Sequence, residues 1–179
     1  MSDHKEGRTV LAAPLAILLV ASGCTAAPEP ATAKETAACG GVPRMMLAGR
    51  VTDAADILTG EEEARLSDRL ARYETRTKHQ MVVATTPSLH GARVDNFGTC
   101  LGSRWAIGRK HHDDGIVILV APNEWQMRIA TGTGMEKILT DDKALAVIRE
   151  MTPQFEQGDY AGGLATGIDA IAAQTGDPE

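Results

Sequence analysis

Two unbroken apolar runs constrain this chain more than any other feature. Met81 to Thr86 is ended by Pro87, and Ile116 to Ala121 is ended by the Pro122-Asn-Glu-Trp125 turn. Apolar runs of this length, rich in β-branched residues and without polar alternation, suit strands buried on both faces of a sheet. Between them Val94, Phe97, Leu101 and Trp105 recur at helical spacing. Strand, helix, strand at this spacing is a right-handed βαβ unit, so the two strands are expected to be parallel.

The flanking elements follow from shorter signals. Thr59-Gly-Glu-Glu62 has the spacing of a capping box, and Leu66, Leu70 and Tyr73 then form an apolar stripe on a charged helix. Gln126 to Thr131 alternates polar and apolar, as an antiparallel strand paired with the second buried run does. Two closing helices are expected. One runs over roughly 142–151, with Leu145 and Ile148 inward, and stops before Pro153. The other runs over roughly 161–174, with Leu164, Ile168 and Ile171 inward. The sum is an α/β fold in three layers around a small mixed β-sheet. At 179 residues and 43% hydrophobic content, the chain holds one domain with a real core plus a tail.

The N-terminal end reads as an export signal. Lys5 and Arg8 precede the apolar run Val10 to Ala21, which is shorter than the roughly 20 residues a membrane span needs. It ends at Ala21-Ser-Gly-Cys24, the pattern of a bacterial lipoprotein signal with Cys24 as the lipidated residue. The expected division is a signal over 1–23, a flexible tether over 24–46 and a domain over 47–176. The anchored form would sit on the periplasmic side of a membrane; ordinary cleavage near Ala27 or Ala33 would instead release a soluble periplasmic protein. Export leaves Cys39 and Cys100 as a pair in an oxidising compartment, open to a disulfide or to two idle thiols. A net charge of -6 with no basic run argues against a nucleic-acid partner.

Carboxylates and glycines cluster from Trp105 to Asp141. Asp113-Asp114-Gly115 precedes the second buried strand, and the hairpin returns Gly132-Thr-Gly134 and Glu136 to the same edge. Asp141 follows closely enough to reach it. Adjacent carboxylates repel unless a cation or N–H donors lie between them, and hard oxygen ligands suit Ca²⁺ or Mg²⁺. The same residues also serve plain structural ends: Asp-Asp-Gly turns a chain into a strand, and Asp141 suits a helix N-terminus. Asp53 either adds a ligand or shapes a turn. His111 and His112 read as solvent-facing loop residues. Gly132-x-Gly134 lacks the third glycine of a dinucleotide fingerprint. Arg104, Arg109 and Arg128 are candidates for holding phosphate or are surface arginines.

These residues carry a resemblance. Val51-x-Asp53, Leu58-Thr59, Gln80 to Val83, Trp105-x-Ile107-Gly108, Asp114-Gly115, Gly132-x-Gly134-x-Glu136, Asp141 and Pro153-x-Phe155 resemble, in order and spacing, the TPM domain family of thylakoid-lumen and bacterial exported proteins. The resemblance implies an α/β/α sandwich, divalent cation binding by acidic loops, and the acid-phosphatase-like activity of some members. Carried over by position, it makes Asp53, Asp113, Asp114 and Asp141 the metal candidates. For a phosphatase, Asp113 and Asp114 are the catalytic candidates; the other reading is a non-catalytic envelope module that binds a partner protein around a structural cation.

Overall fold

The computed structural model describes residues 39–176. The expected signal, Cys24 and the tether up to residue 38 lie outside the described residues. Four strands form one sheet in chain order: β1 (Val51–Asp53), β2 (Gln80–Thr85), β3 (Gly115–Ala121) and β4 (Gln126–Thr131). The first three are parallel and β4 is antiparallel to β3. Helix α1 (Gly60–Thr77) links β1 to β2, and α2 (Val94–Arg104) links β2 to β3. Helices α3 (Asp141–Glu156) and α4 (Tyr160–Thr175) close the chain.

Alternation along the central strand sorts the core into two halves. Ile116, Ile118 and Val120 face α1, α3 and α4, where Leu70, Tyr73, Val147, Met151 and Ile168 are buried. Val117, Leu119 and Ala121 face α2, where they meet Phe97 and Leu101. The α/β/α layering is therefore uneven, three helices against one.

Helix α1 starts where its capping box stands. Thr59 N donates to Glu62 Oε2 at 2.8 Å and Glu62 N to Thr59 Oγ1 at 3.3 Å, which satisfies two otherwise orphaned donors. Helix α3 departs from expectation twice. It runs through Pro153 to Glu156, because the proline lies in the last turn, where its missing N–H strands only the Arg149 carbonyl. Its inward residues are Ala144, Val147, Met151 and Phe155, while Leu145 is 47% exposed. The helix begins at Thr140, and this phase turns Leu145 outward.

The α2 layer is thin, and the chain before β1 thickens it. Cys39 and Val42 are buried against the sheet face that α2 covers, so packed structure begins ahead of the boundary expected at 47. A disulfide joins Cys39 to Cys100 on α2, with a Cα–Cα distance of 5.6 Å. The Arg104 guanidinium donates to the carbonyls of Cys39, Val42 and Pro43, and Trp105 Nε1 donates to Met45 O at 3.0 Å. One flank of α2 thus grips the arm. The opposite flank carries Gly98, against Ala130 and Arg128 of β4, and Gly102, against Val117 of β3.

Candidate functional site

A single short helix leaves part of its sheet face uncovered. Helix α2 crosses between parallel β2 and β3 and is about 10 Å across, against a sheet roughly 19 Å wide for four strands. The arm fills the space on the cysteine flank. On the glycine flank, beside β4, a cavity of about 1020 Å³ remains. Its walls are the glycine flank of α2, the loop 106–113, the end of β4 with Gly132 and Thr133, and the start of α3 at Thr140 and Asp141.

The wall at 106–113 is a tightly wound loop. Ala106, Gly108, His111 and Asp113 all have positive φ, a rare density for a segment with three side-chain-bearing members among the four. Such conformations persist only when the surroundings hold them. Gly108 N donates to Gln80 Oε1 at 2.7 Å, Arg109 N to Asp114 Oδ1 at 2.7 Å, and Ile107 N to Gly102 O at 2.9 Å. The loop also packs backbone against backbone. A Cβ on Gly115 would collide with the Ile107 carbonyl, and one on Gly134 with the His112 carbonyl. These glycines permit the close backbone approach.

Asp114 is the keystone of this loop. It is 3% exposed, and Arg109 reaches Oδ2 through Nε at 2.7 Å and Nη2 at 2.6 Å. His79 Nδ1 stands 3.1 Å from the same oxygen. Burial pushes the carboxyl's pKa upward, but hydrogen bonds from the Arg109 backbone, the Arg109 guanidinium and His79 outweigh it, holding the value at about 2. Both oxygens are committed to protein donors.

The other carboxylates are placed differently. Asp113 is exposed at the pocket wall and accepts from Thr133 Oγ1 at 3.2 Å. Asp141 is exposed at the first turn of α3 and accepts from Arg128 Nη2 at 3.1 Å. Hairpin return thus brings Asp113, Asp114, Gly132 and Asp141 to one end of the sheet. Asp53 is at the other end. It pairs with Thr85, which pairs with Val120, whereas Asp114 precedes Gly115, the partner of Gln80. Five strand positions separate the two ends, about 17 Å. Asp53 shapes a turn there: Oδ2 accepts from the N–H groups of Ile57 and Leu58 at 2.9 and 2.8 Å, and Oδ1 from the Thr85 hydroxyl.

One cation therefore does not fit the four-carboxylate set of Asp53, Asp113, Asp114 and Asp141. Asp53 is remote, and Asp114 is buried with both oxygens already bonded to protein donors. Among the described residues no group of three or more His, Cys, Asp or Glu side chains is arranged to hold a metal. His111 and His112 are exposed and outside the pocket lining. Sequence reasoning passed over His79 and took Gln80 only as part of a family pattern, yet both hold the loop; the parallel register sets Gln80 opposite Gly115, and His79, one residue earlier, reaches Asp114.

Comparison with known proteins places this geometry. A family model described as TPM domain matches residues 51–174. The solution structure of the N-terminal domain of a protein from P. gingivalis is similar at 30% identity, with a TM-score of 0.66, over 74% of this chain and 87% of that one. The N-terminal domain of the cg2496 protein from Corynebacterium glutamicum shares the fold at 14% identity and a TM-score of 0.59, over 76% and 86% of the two chains. The BA42 protein from the psychrophilic Bizionia argentinensis shares it at 22% identity and 0.59, over 66% and 81%. No curated protein matches the sequence.

Proposed function

Because this chain belongs to the TPM domain family, we propose that its pocket is the binding cleft of an exported, membrane-tethered module and not a catalytic centre. The state of Asp114 carries this reading. A general acid or base must exchange a proton with substrate at a pKa near working pH. Asp114 is buried, fully partnered and held at about 2. Cys39 and Cys100 are spent in a disulfide, so neither serves as a nucleophile. A disulfide also suits the oxidising compartment to which the signal-like N-terminus and Cys24 point. In this reading Cys24 bears the lipid, the domain works on the periplasmic side of the membrane, and the pocket receives an envelope partner.

A second reading is hydrolysis of phosphate monoesters assisted by Ca²⁺ or Mg²⁺. One observation favours it: Asp113 Oδ1 and Asp141 Oδ2 accept no hydrogen bond from the described residues, and both residues line the pocket. Two pocket carboxylates make a weak site at best, in the millimolar range of extracellular modules. Phosphate release from p-nitrophenyl phosphate at pH 5 to 6, with and without millimolar Ca²⁺ or Mg²⁺, separates the readings. The binding module predicts no turnover above background. Cation-dependent turnover that Asp113→Asn abolishes would replace it with the phosphatase. Loss of palmitate labelling in Cys24→Ala checks the anchor.

A further inference from the structure

One polar group in the pocket region is left without a partner. Arg128 of β4 lines the cavity, and its aliphatic stem lies against α2, where a Cβ on Gly98 would come within 3.3 Å of Arg128 Cγ. Nη2 reaches Asp141 at 3.1 Å. Nε is buried and has no hydrogen-bond partner among the described residues. An unmade buried donor carries a free-energy cost that an incoming acceptor recovers. Nε and Nη2 form the side-on edge of the guanidinium, whose spacing matches the two oxygens of a carboxylate. Asp141 occupies half of that edge and is 81% exposed, so water can take it when another acceptor arrives.

Charge selects among oxyanions. The lining carries Arg109, Lys110 and Arg128 against Asp113, Glu136 and Asp141. Arg109 is already neutralised by the buried Asp114, so the lining's own carboxylates outnumber its remaining cations. A phosphate dianion meets about twice the repulsion that a singly charged carboxylate meets there, and the carboxylate's two oxygens match the Nε and Nη2 edge of Arg128. Resting on the pocket's reading as a binding cleft, we infer that Arg128 anchors the carboxylate of a singly charged ligand and that Asp141 competes for the same edge. Such a carboxylate comes from a peptide C-terminus or from a free amino acid.

The test follows the Arg128 Nε–H resonance by NMR of the full chain. The probes are N-acetyl-alanyl-alanine, its C-terminal amide, free alanine and inorganic phosphate. N-acetyl-alanyl-alanine is expected to move the resonance downfield and saturate it, and the amide is expected to leave it in place. An equal response to free alanine assigns the source to amino acids; none assigns it to peptide ends. Asp141→Asn removes the competitor and tightens binding by up to about fivefold, the worth of an exposed ion pair. Arg128→Lys keeps the charge, loses the edge and abolishes saturable shifts elsewhere in the pocket. A resonance unmoved by either carboxylate in the folded chain overturns this inference and leaves the binding-cleft reading standing. An equal response to the amide overturns it too, as does weaker binding by Asp141→Asn. Saturation by phosphate with phosphomonoester turnover overturns both.

Discussion

Removing the Cys39–Cys100 disulfide should cost a substantial share of this domain's margin of stability, and the size of the effect can be worked from its position. The bond closes a loop across a sequence separation of 61. Chain-entropy closure for such a loop amounts to about 4 kcal/mol at 25 °C. The native arm has other attachments, the Arg104 and Trp105 hydrogen bonds, so the effect falls chiefly on the unfolded chain. Unfolding residues 39–176 releases roughly 0.29 kcal/mol per degree, at about 2.1 cal/mol/K for each residue. The double variant Cys39→Ala/Cys100→Ala, in a Cys24→Ala background, should therefore melt about 14 °C lower than its oxidised parent. Calorimetry on the parent, the reduced parent and the double variant checks this, with near-UV circular dichroism at 20 °C reporting the packing of Trp105. The two cysteine-free or reduced forms should agree. A drop of less than about 4 °C, or loss of the tryptophan signal before unfolding, would refute the reasoning, since the bond would then be holding the folded arm in place.

Three other outcomes follow from the same geometry. Asp114→Asn leaves Arg109 and His79 without their buried anion and should cost about 3 kcal/mol in urea unfolding. Because the folded carboxyl sits at about 2 against an ordinary 3.8, the wild type carries roughly 2 kcal/mol from this group above pH 4 and loses it as pH falls from about 4 to 2. The variant's acid limb should be flatter over that window. Gly134→Ala drives a methyl into the His112 carbonyl and should destabilise by about 2 kcal/mol, with amide exchange rising in the loop 106–113. Thr59→Ala removes one half of the α1 capping box and should cost about 1 kcal/mol by the same unfolding measurement.

Much of the fold was legible because its signals are local. A capping box, two apolar runs and a hairpin turn each announce themselves within ten residues, and the βαβ rule supplies the pairing. Strand β1 is three residues long and has no period to detect; its pairing with β2 is what carries Asp53 to the far end of the sheet. Leu145 and Val147 are equally apolar in sequence, and only the helix start at Thr140 decides which faces inward. At the site, the gathering of Asp113, Asp114 and Asp141 followed from hairpin return. The division of labour among them did not, because it depends on Arg109 and His79 reaching one buried oxygen. No spacing rule reports whether a carboxylate's lone pairs are already taken.

The coupling of arm to α2 also sets how the domain bears load. A pull on the chain ahead of residue 39, if it had to enter through β1, would work against a ladder of three residue pairs, Val51 to Val83, Thr52 to Ala84 and Asp53 to Thr85. Such a ladder can be peeled open at its end, one pair at a time. Instead the force arrives at Cys39 and crosses a covalent bond into α2, whose Phe97 and Leu101 are seated in the middle of the sheet. Tension is thereby spread over a whole helix–sheet contact, and β1 stays slack. If the proposed anchor holds the domain by its N-terminal end, a pull from the proposed partner would leave its edge strand intact.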